Sequence, residues 1–123
     1  MRIKTGGYGG FTILELMIVV AVIGLLLALA IPTFVKSRET SQLAVIYNNL
    51  RAIESAKDQW ALENHKGTGE LTDVPALSDY LKGGTIKPIV SEVYESNRVG
   101  SAAYATTHVR LGTYSPTDPI GIP

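Results

Sequence analysis

Phe11-Thr12-Ile13-Leu14-Glu15-Leu16-Met17-Ile18-Val19-Val20-Ala21-Val22-Ile23-Gly24-Leu25-Leu26-Leu27-Ala28-Leu29-Ala30-Ile31-Pro32-Thr33-Phe34-Val35 is an apolar run holding a single charge, Glu15. About 20 apolar residues suffice for a helix to cross a bilayer, so residues 11–35 read as a membrane-spanning helix. A carboxylate inside such a segment costs ~2.5–3.5 kcal/mol even on lenient insertion scales. A segment built only to anchor would carry leucine there, so Glu15 calls for a cationic partner.

The residues before the run suggest that partner. Met1-Arg2-Ile3-Lys4-Thr5-Gly6-Gly7-Tyr8-Gly9-Gly10 ends in two glycines directly ahead of Phe11. A cut between Gly10 and Phe11 would create an α-amino group with a reference pKa near ~8, about one helical turn from Glu15. In an isolated chain that pair can form only along its own helix end. In a bundle of staggered helices, the amine of one subunit can meet Glu15 of another and neutralise it in low dielectric. The costly residue then becomes a register device.

Gly10-Phe11-Thr12-Ile13-Leu14-Glu15-Leu16-Met17-Ile18-Val19-Val20 resembles the N-terminal signal of type IV pilins and type II secretion pseudopilins. The resemblance is close over residues 10–36 and extends beyond them only in layout. It implies a leader at 1–10, removed after Gly10 by a prepilin peptidase that also methylates Phe11. It further implies that Glu15 is the assembly residue and that Gly24 and Pro32 loosen the helix. The subunit would sit as a single pass in the bacterial inner membrane, its C-terminal domain outside the cytoplasm. Inner-membrane machinery with a separate ATPase would then assemble it, with other pilin-like subunits, into a periplasmic or surface filament. The small cysteine-free domain and the helix ending Ala56-Lys57-Asp58-Gln59-Trp60-Ala61-Leu62-Glu63-Asn64 look most like a major-type pseudopilin of type II secretion. A type IV or competence pilus subunit is the close alternative.

Other readings fit less of the chain. A plain membrane anchor leaves Glu15 unexplained. A secretory signal cut after Ala28-Leu29-Ala30, before Ile31, is opposed by Glu15 at the head of the apolar region and by Pro32 just past the cut. Gly6-Gly7-Tyr8-Gly9-Gly10 lacks the preceding strand and the Gly-Lys-Ser/Thr ending of a phosphate loop. A membrane-tethered monomeric binding module is the alternative from another class.

Eleven Lys+Arg balance eleven Asp+Glu, so no general affinity for nucleic acid follows. Arg2 and Lys4 would hold the leader on the cytoplasmic side, but Lys36 and Arg38 flank the other end, so the count of positive flanks does not decide orientation. Zero cysteines rule out a disulfide-stapled fold, and thus the C-terminal disulfide of many pilins. His65 and His108 have no catalytic or zinc-binding spacing around them, so no enzyme is expected. No cofactor is expected either. The resemblance leaves calcium open, because major pseudopilins bind it in the C-terminal domain. Their ligand pattern is not matched here, and Asp118 reads as a turn residue before Pro119.

After Pro32 the pattern becomes amphipathic. Leu43, Ile46, Tyr47, Leu50, Ile53, Trp60 and Ala61 fall on one helical face, with Asn48, Ser55, Gln59 and Glu63 opposite. Glu54 and Lys57, three apart, can pair beside the stripe while their stems cover apolar surface. Residues 62–67 supply the stop, with Gly67 available as the C′ residue, and a helix continuous from Phe11 to about Asn64 would be ~80 Å long. Gly24 weakens it, and Pro32, lacking an N–H for Ala28, should kink or loosen it.

The segments are thus 11–35 in the membrane or filament core, 36–66 as amphipathic continuation, and 67–123 as a small domain. In that domain Val74–Leu81 reads as a short helix capped by Asp73, with Pro75 in its first turn and Gly83-Gly84 as its stop. Residues 85–94 and 103–111 read as strands joined by a turn at 95–100, and 112–123 as a third short strand or extended coil. So small a domain buries too little alone, and is expected to lie on the apolar stripe, with Tyr47 and Trp60 in the core. The fold class is α+β, a long N-terminal helix on a small domain with a short antiparallel sheet.

Overall fold

A computed structural model of the chain describes residues 9–123. Most of the expected leader, with Arg2 and Lys4, lies outside them. The fold is α+β: a long helix α1 (Ile13–Glu63), a 3-10 helix (Pro75–Tyr80), and strands β1 (Val93–Glu95), β2 (Tyr104–Thr106) and β3 (Pro119–Gly121). The chain divides into two compact units, Met1–Val35 and Lys36–Pro123, and α1 contributes to both.

In the first unit Phe11, just ahead of α1, and the apolar side chains of α1 are exposed in the single chain, Phe11 at 84% and Leu14 at 67%. This part of α1 is long and apolar enough to cross a membrane. Pro32 lies inside the helix without interrupting it. The hydroxyl of Thr33, the next residue, donates to the Leu29 carbonyl at 3.2 Å.

In the second unit the amphipathic stripe does the packing. Ile46, Leu50, Ile53 and Ala56 are buried against Leu77, Leu81, Ala103, Ala105, Leu111 and Ile120, with Leu43, Tyr47 and Trp60 half-buried at the margin. Each fully buried Ile or Leu contributes about 1.5–3 kcal/mol from apolar area alone. Asn48, Ser55, Gln59 and Glu63 face solvent.

The helix ends at Glu63, within the stop expected at 62–67, but its C′ residue is not Gly67. His65 adopts φ 52° and its N–H donates to Leu62 O at 3.5 Å, while Lys66 N–H donates to Ala61 O at 2.8 Å. This paired closure is a Schellman motif with His65 in the left-handed position that glycine usually fills.

The sheet has order β1-β2-β3 and is antiparallel throughout. Tyr94, Ala105 and Ile120 stand in one row across it and face the core. The third strand expected in the tail is therefore present. The first two are much shorter than the sequence suggested, and two side chains explain why. Glu92 accepts the N–H groups of Ile89 and Val90, which a ladder would need, and Ser91 sits at φ 60° between them. Pro88 has no N–H to offer. Past β2, the Thr107 hydroxyl takes the Val109 N–H and the Thr107 carbonyl takes the Thr117 N–H, which turns the chain away.

The short helix is present but is 3-10 rather than α. Asp73 Oδ1 accepts the Ala76 N–H at 3.0 Å, supplying the expected cap. Gly83 and Gly84, at φ 87° and 76°, carry the chain out of it.

Candidate processing and assembly segment

Gly9 and Gly10 precede α1, and a Cβ built on either would meet nothing within 4 Å. The chain's own packing therefore does not demand glycine at position 10. Thr12 starts the helix: its hydroxyl oxygen accepts the Glu15 N–H at 3.2 Å and its carbonyl accepts the Leu16 N–H at 3.2 Å. Thr12 and Glu15 thus occupy the N-cap and N3 positions of a Thr-x-x-Glu pattern, the sequence signal of a capped helix start. That signal was readable, and sequence reasoning passed over it.

Glu15 lies in the first turn of α1, exposed. Among the described residues it enters no ion pair. Gly24 lies in mid-helix with open space where a Cβ would be. The structure thus brings Gly10, Phe11, Thr12 and Glu15 together at the helix start and places Gly24 and Pro32 farther along the same apolar helix.

Comparison with known proteins accounts for this segment. Residues 7–31 match the family described as the prokaryotic N-terminal methylation motif. The chain is 30% identical over 100 residues to the type II secretion system core protein G of Escherichia coli, spanning 73% of this chain and 69% of that protein. The chain belongs to the type IV pilin and type II secretion pseudopilin family. It is accordingly a pilin-like structural subunit and not an enzyme. Core protein G of Klebsiella pneumoniae is 28% identical over 98 residues and 70% of its length. The type IV major pilin PilA of Myxococcus xanthus is 44% identical over 57 residues, 46% of this chain but 26% of that protein. No solved structure gives a significant match.

In this pilin-like subunit the second unit carries two polar networks. Lys57 is fully buried, and its ammonium donates to Glu54 Oε1 at 3.0 Å, Ser96 O at 2.9 Å and Ser101 O at 2.6 Å. The same Glu54 oxygen also accepts the Ala103 N–H. The expected Glu54–Lys57 pair is present, but its second role, holding the loop between β1 and β2 onto α1, was missed. The signal was there: Lys57 sits four residues from both Ile53 and Ala61, on the buried face. What could not be read was which distant carbonyls would meet it.

Glu92 is the other network, accepting Ile89 N–H, Val90 N–H and the Tyr94 hydroxyl, while Asn49 of α1 donates to Tyr94 Oη at 2.8 Å. Burial pushes the Glu92 carboxyl up, but the hydrogen bonds from Val90, Tyr94 and the neighbouring backbone outweigh it, and the net direction is down. Burial pushes the Tyr94 hydroxyl up; the Asn49 bond opposes this and the Glu92 carboxylate adds to it.

The resemblance to major pseudopilins raises the question of calcium, which takes about 6–8 oxygen ligands. Among the described residues no three His, Cys, Asp or Glu side chains converge. Asp118 Oδ2 accepts the Ser115 N–H at 2.9 Å, and Asp118 N–H donates back to Ser115 O, closing a turn.

Proposed function

We propose that this subunit is made as a precursor, cut after Gly10 by a prepilin peptidase, methylated on Phe11, and held in the bacterial inner membrane by residues 11–35. From there it is assembled into a helical filament, as a pseudopilin of type II secretion. The observation that carries this reading is the exposed apolar helix whose first turn, just past Gly10–Phe11, holds the single glutamate of the apolar run.

Each residue has a stated part. Gly10 leaves the scissile bond unobstructed, and Phe11 supplies the new amine. Glu15 meets the amine of a neighbouring subunit, and desolvation of both charges makes the pairing specific to one axial offset. Gly24 and Pro32 let residues 24–32 unwind or bend in the filament. The second unit makes lateral contacts outside the core. The energy comes from a separate ATPase in the inner-membrane machinery.

The secretion reading is favoured over a type IV pilus because the likeness to core protein G runs far beyond the N-terminal segment, whereas that to the Myxococcus pilin covers a quarter of the latter's length. Glu15→Ala and Glu15→Val are expected to insert into the membrane as well as the wild type, since each removes an insertion cost of ~2.5–3.5 kcal/mol. They should yield few or no filaments when expressed with the assembly machinery. Wild-type filament yield from either variant would contradict the register role of Glu15.

A further inference from the structure

We infer that Lys57 is the built-in cation of the C-terminal domain: its ammonium closes the loop of residues 96–103 onto α1, so that the domain folds without a divalent ion. An ammonium has three N–H donors and no acceptor. Here each meets one oxygen: the Glu54 carboxylate, the Ser96 carbonyl and the Ser101 carbonyl. Two backbone carbonyls and a carboxylate turned inward around one point are the ligand chemistry of a hard cation, and the point is occupied by the chain's own side chain. The loop is shaped for the purpose. Asn97 at φ 61° and Gly100 at φ 81° reverse the backbone on either side of Arg98-Val99, which turns the Ser96 and Ser101 carbonyls toward the same nitrogen. A side chain at position 100 would also meet Thr68 Cγ2 at 2.7 Å, so the turn is fixed from the outer side as well.

The outer side of the loop is pinned independently. Gly69 N–H donates to Val99 O, Val99 N–H to Glu70 O, and Arg98 Nη1 to Gly69 O. Ser96 and Thr72 exchange hydrogen bonds through hydroxyls and the Thr72 carbonyl. The loop is thus a middle layer between α1 and residues 67–72, tied to the helix by Lys57 at Ser96 and Ser101 and by Glu54 at Ala103. Glu54 serves both purposes, neutralising the ammonium and accepting the Ala103 N–H where β2 begins.

The test is thermal unfolding of the full, membrane-extracted chain in detergent, read by the single tryptophan, Trp60, in chelator and in millimolar calcium. The wild type is expected to melt at the same temperature in both. Lys57→Met leaves the carboxylate and two carbonyls without their donor and should lower Tm by about 10 °C or more, with faster amide exchange at Val99 and Ser101. The double variant Lys57→Met, Glu54→Gln removes the stranded charge and should recover part of the loss, which keeps the test decisive if the single variant fails to fold. A wild-type Tm that rises with calcium, or a Lys57→Met protein that melts like the wild type, would overturn the inference.

Discussion

Glu92 concentrates a good deal of stability in one carboxylate, because it holds Ile89, Val90 and the Tyr94 hydroxyl at once and reaches α1 through Asn49. Glu92→Gln keeps the shape but replaces one oxygen by a donor that faces N–H groups. The loss is expected to be about 1–3 kcal/mol, the cost of unsatisfied buried donors, measured as a lower unfolding midpoint by Trp60 fluorescence. The pH dependence has a definite sign. A carboxyl held below its ordinary value in the folded chain binds protons more readily when unfolded, so its stabilisation is complete above the unfolded pKa, ~4.3, and is lost as pH falls through the folded one. Melting should therefore fall on acidification below about pH 5, and Glu92→Gln should flatten that slope. An equal slope in both proteins would place the acid sensitivity elsewhere.

Helix α1 carries different demands along its length. In the second unit its stripe forms the core, so Leu50→Ala should cost about 2–5 kcal/mol, while Ser55→Ala on the solvent face should stay within about 0.5 kcal/mol. Comparable losses for the two would mean that the stripe is not what holds the domain. In the first unit, Gly24 and Pro32 are read as loosening residues. Replacing both by Ala should slow amide exchange over residues 24–32 in the solubilised monomer and reduce filament yield, and slower exchange with unchanged yield would contradict the proposed unwinding.

The elements differ in how legible they were. The stripe was plain because side chains three and four apart share one face whatever they pack against: Ile46, Leu50, Ile53 and Ala61 are buried as the spacing named them, Leu43, Tyr47 and Trp60 lie at the margin, and Ala56 joins the core unnamed. The strands were overdrawn because β-branched residues around 85–92 and 107–111 suggest pairing, whereas Glu92 and Thr107 capture the N–H groups that pairing requires. Local competition of this kind depends on a side chain reaching back two or three residues, and composition does not show it. Gly67 was the conventional helix stop, but His65 took the left-handed position first. Lys57 was read only as the partner of Glu54 beside the stripe, because its carbonyl partners lie some 40 residues on. At the helix start the pattern was legible in its Gly, Phe and Glu, and the Thr12 cap completes it.

At the scale of the whole molecule, the two units answer to different solvents. The first exposes an apolar helix, and the second carries its own core with polar networks satisfied inside it. In the proposed pathway the first unit is covered by lipid in the monomer, and assembly exchanges lipid contacts for contacts with other copies. The central claim is that a cut after Gly10 converts the membrane precursor into the assembling form. Intact mass and N-terminal sequencing of the protein from its native membrane test it most directly. A chain beginning at Phe11 and carrying one added methyl group is the predicted result; a chain beginning at Met1 or at Ile31 would contradict it.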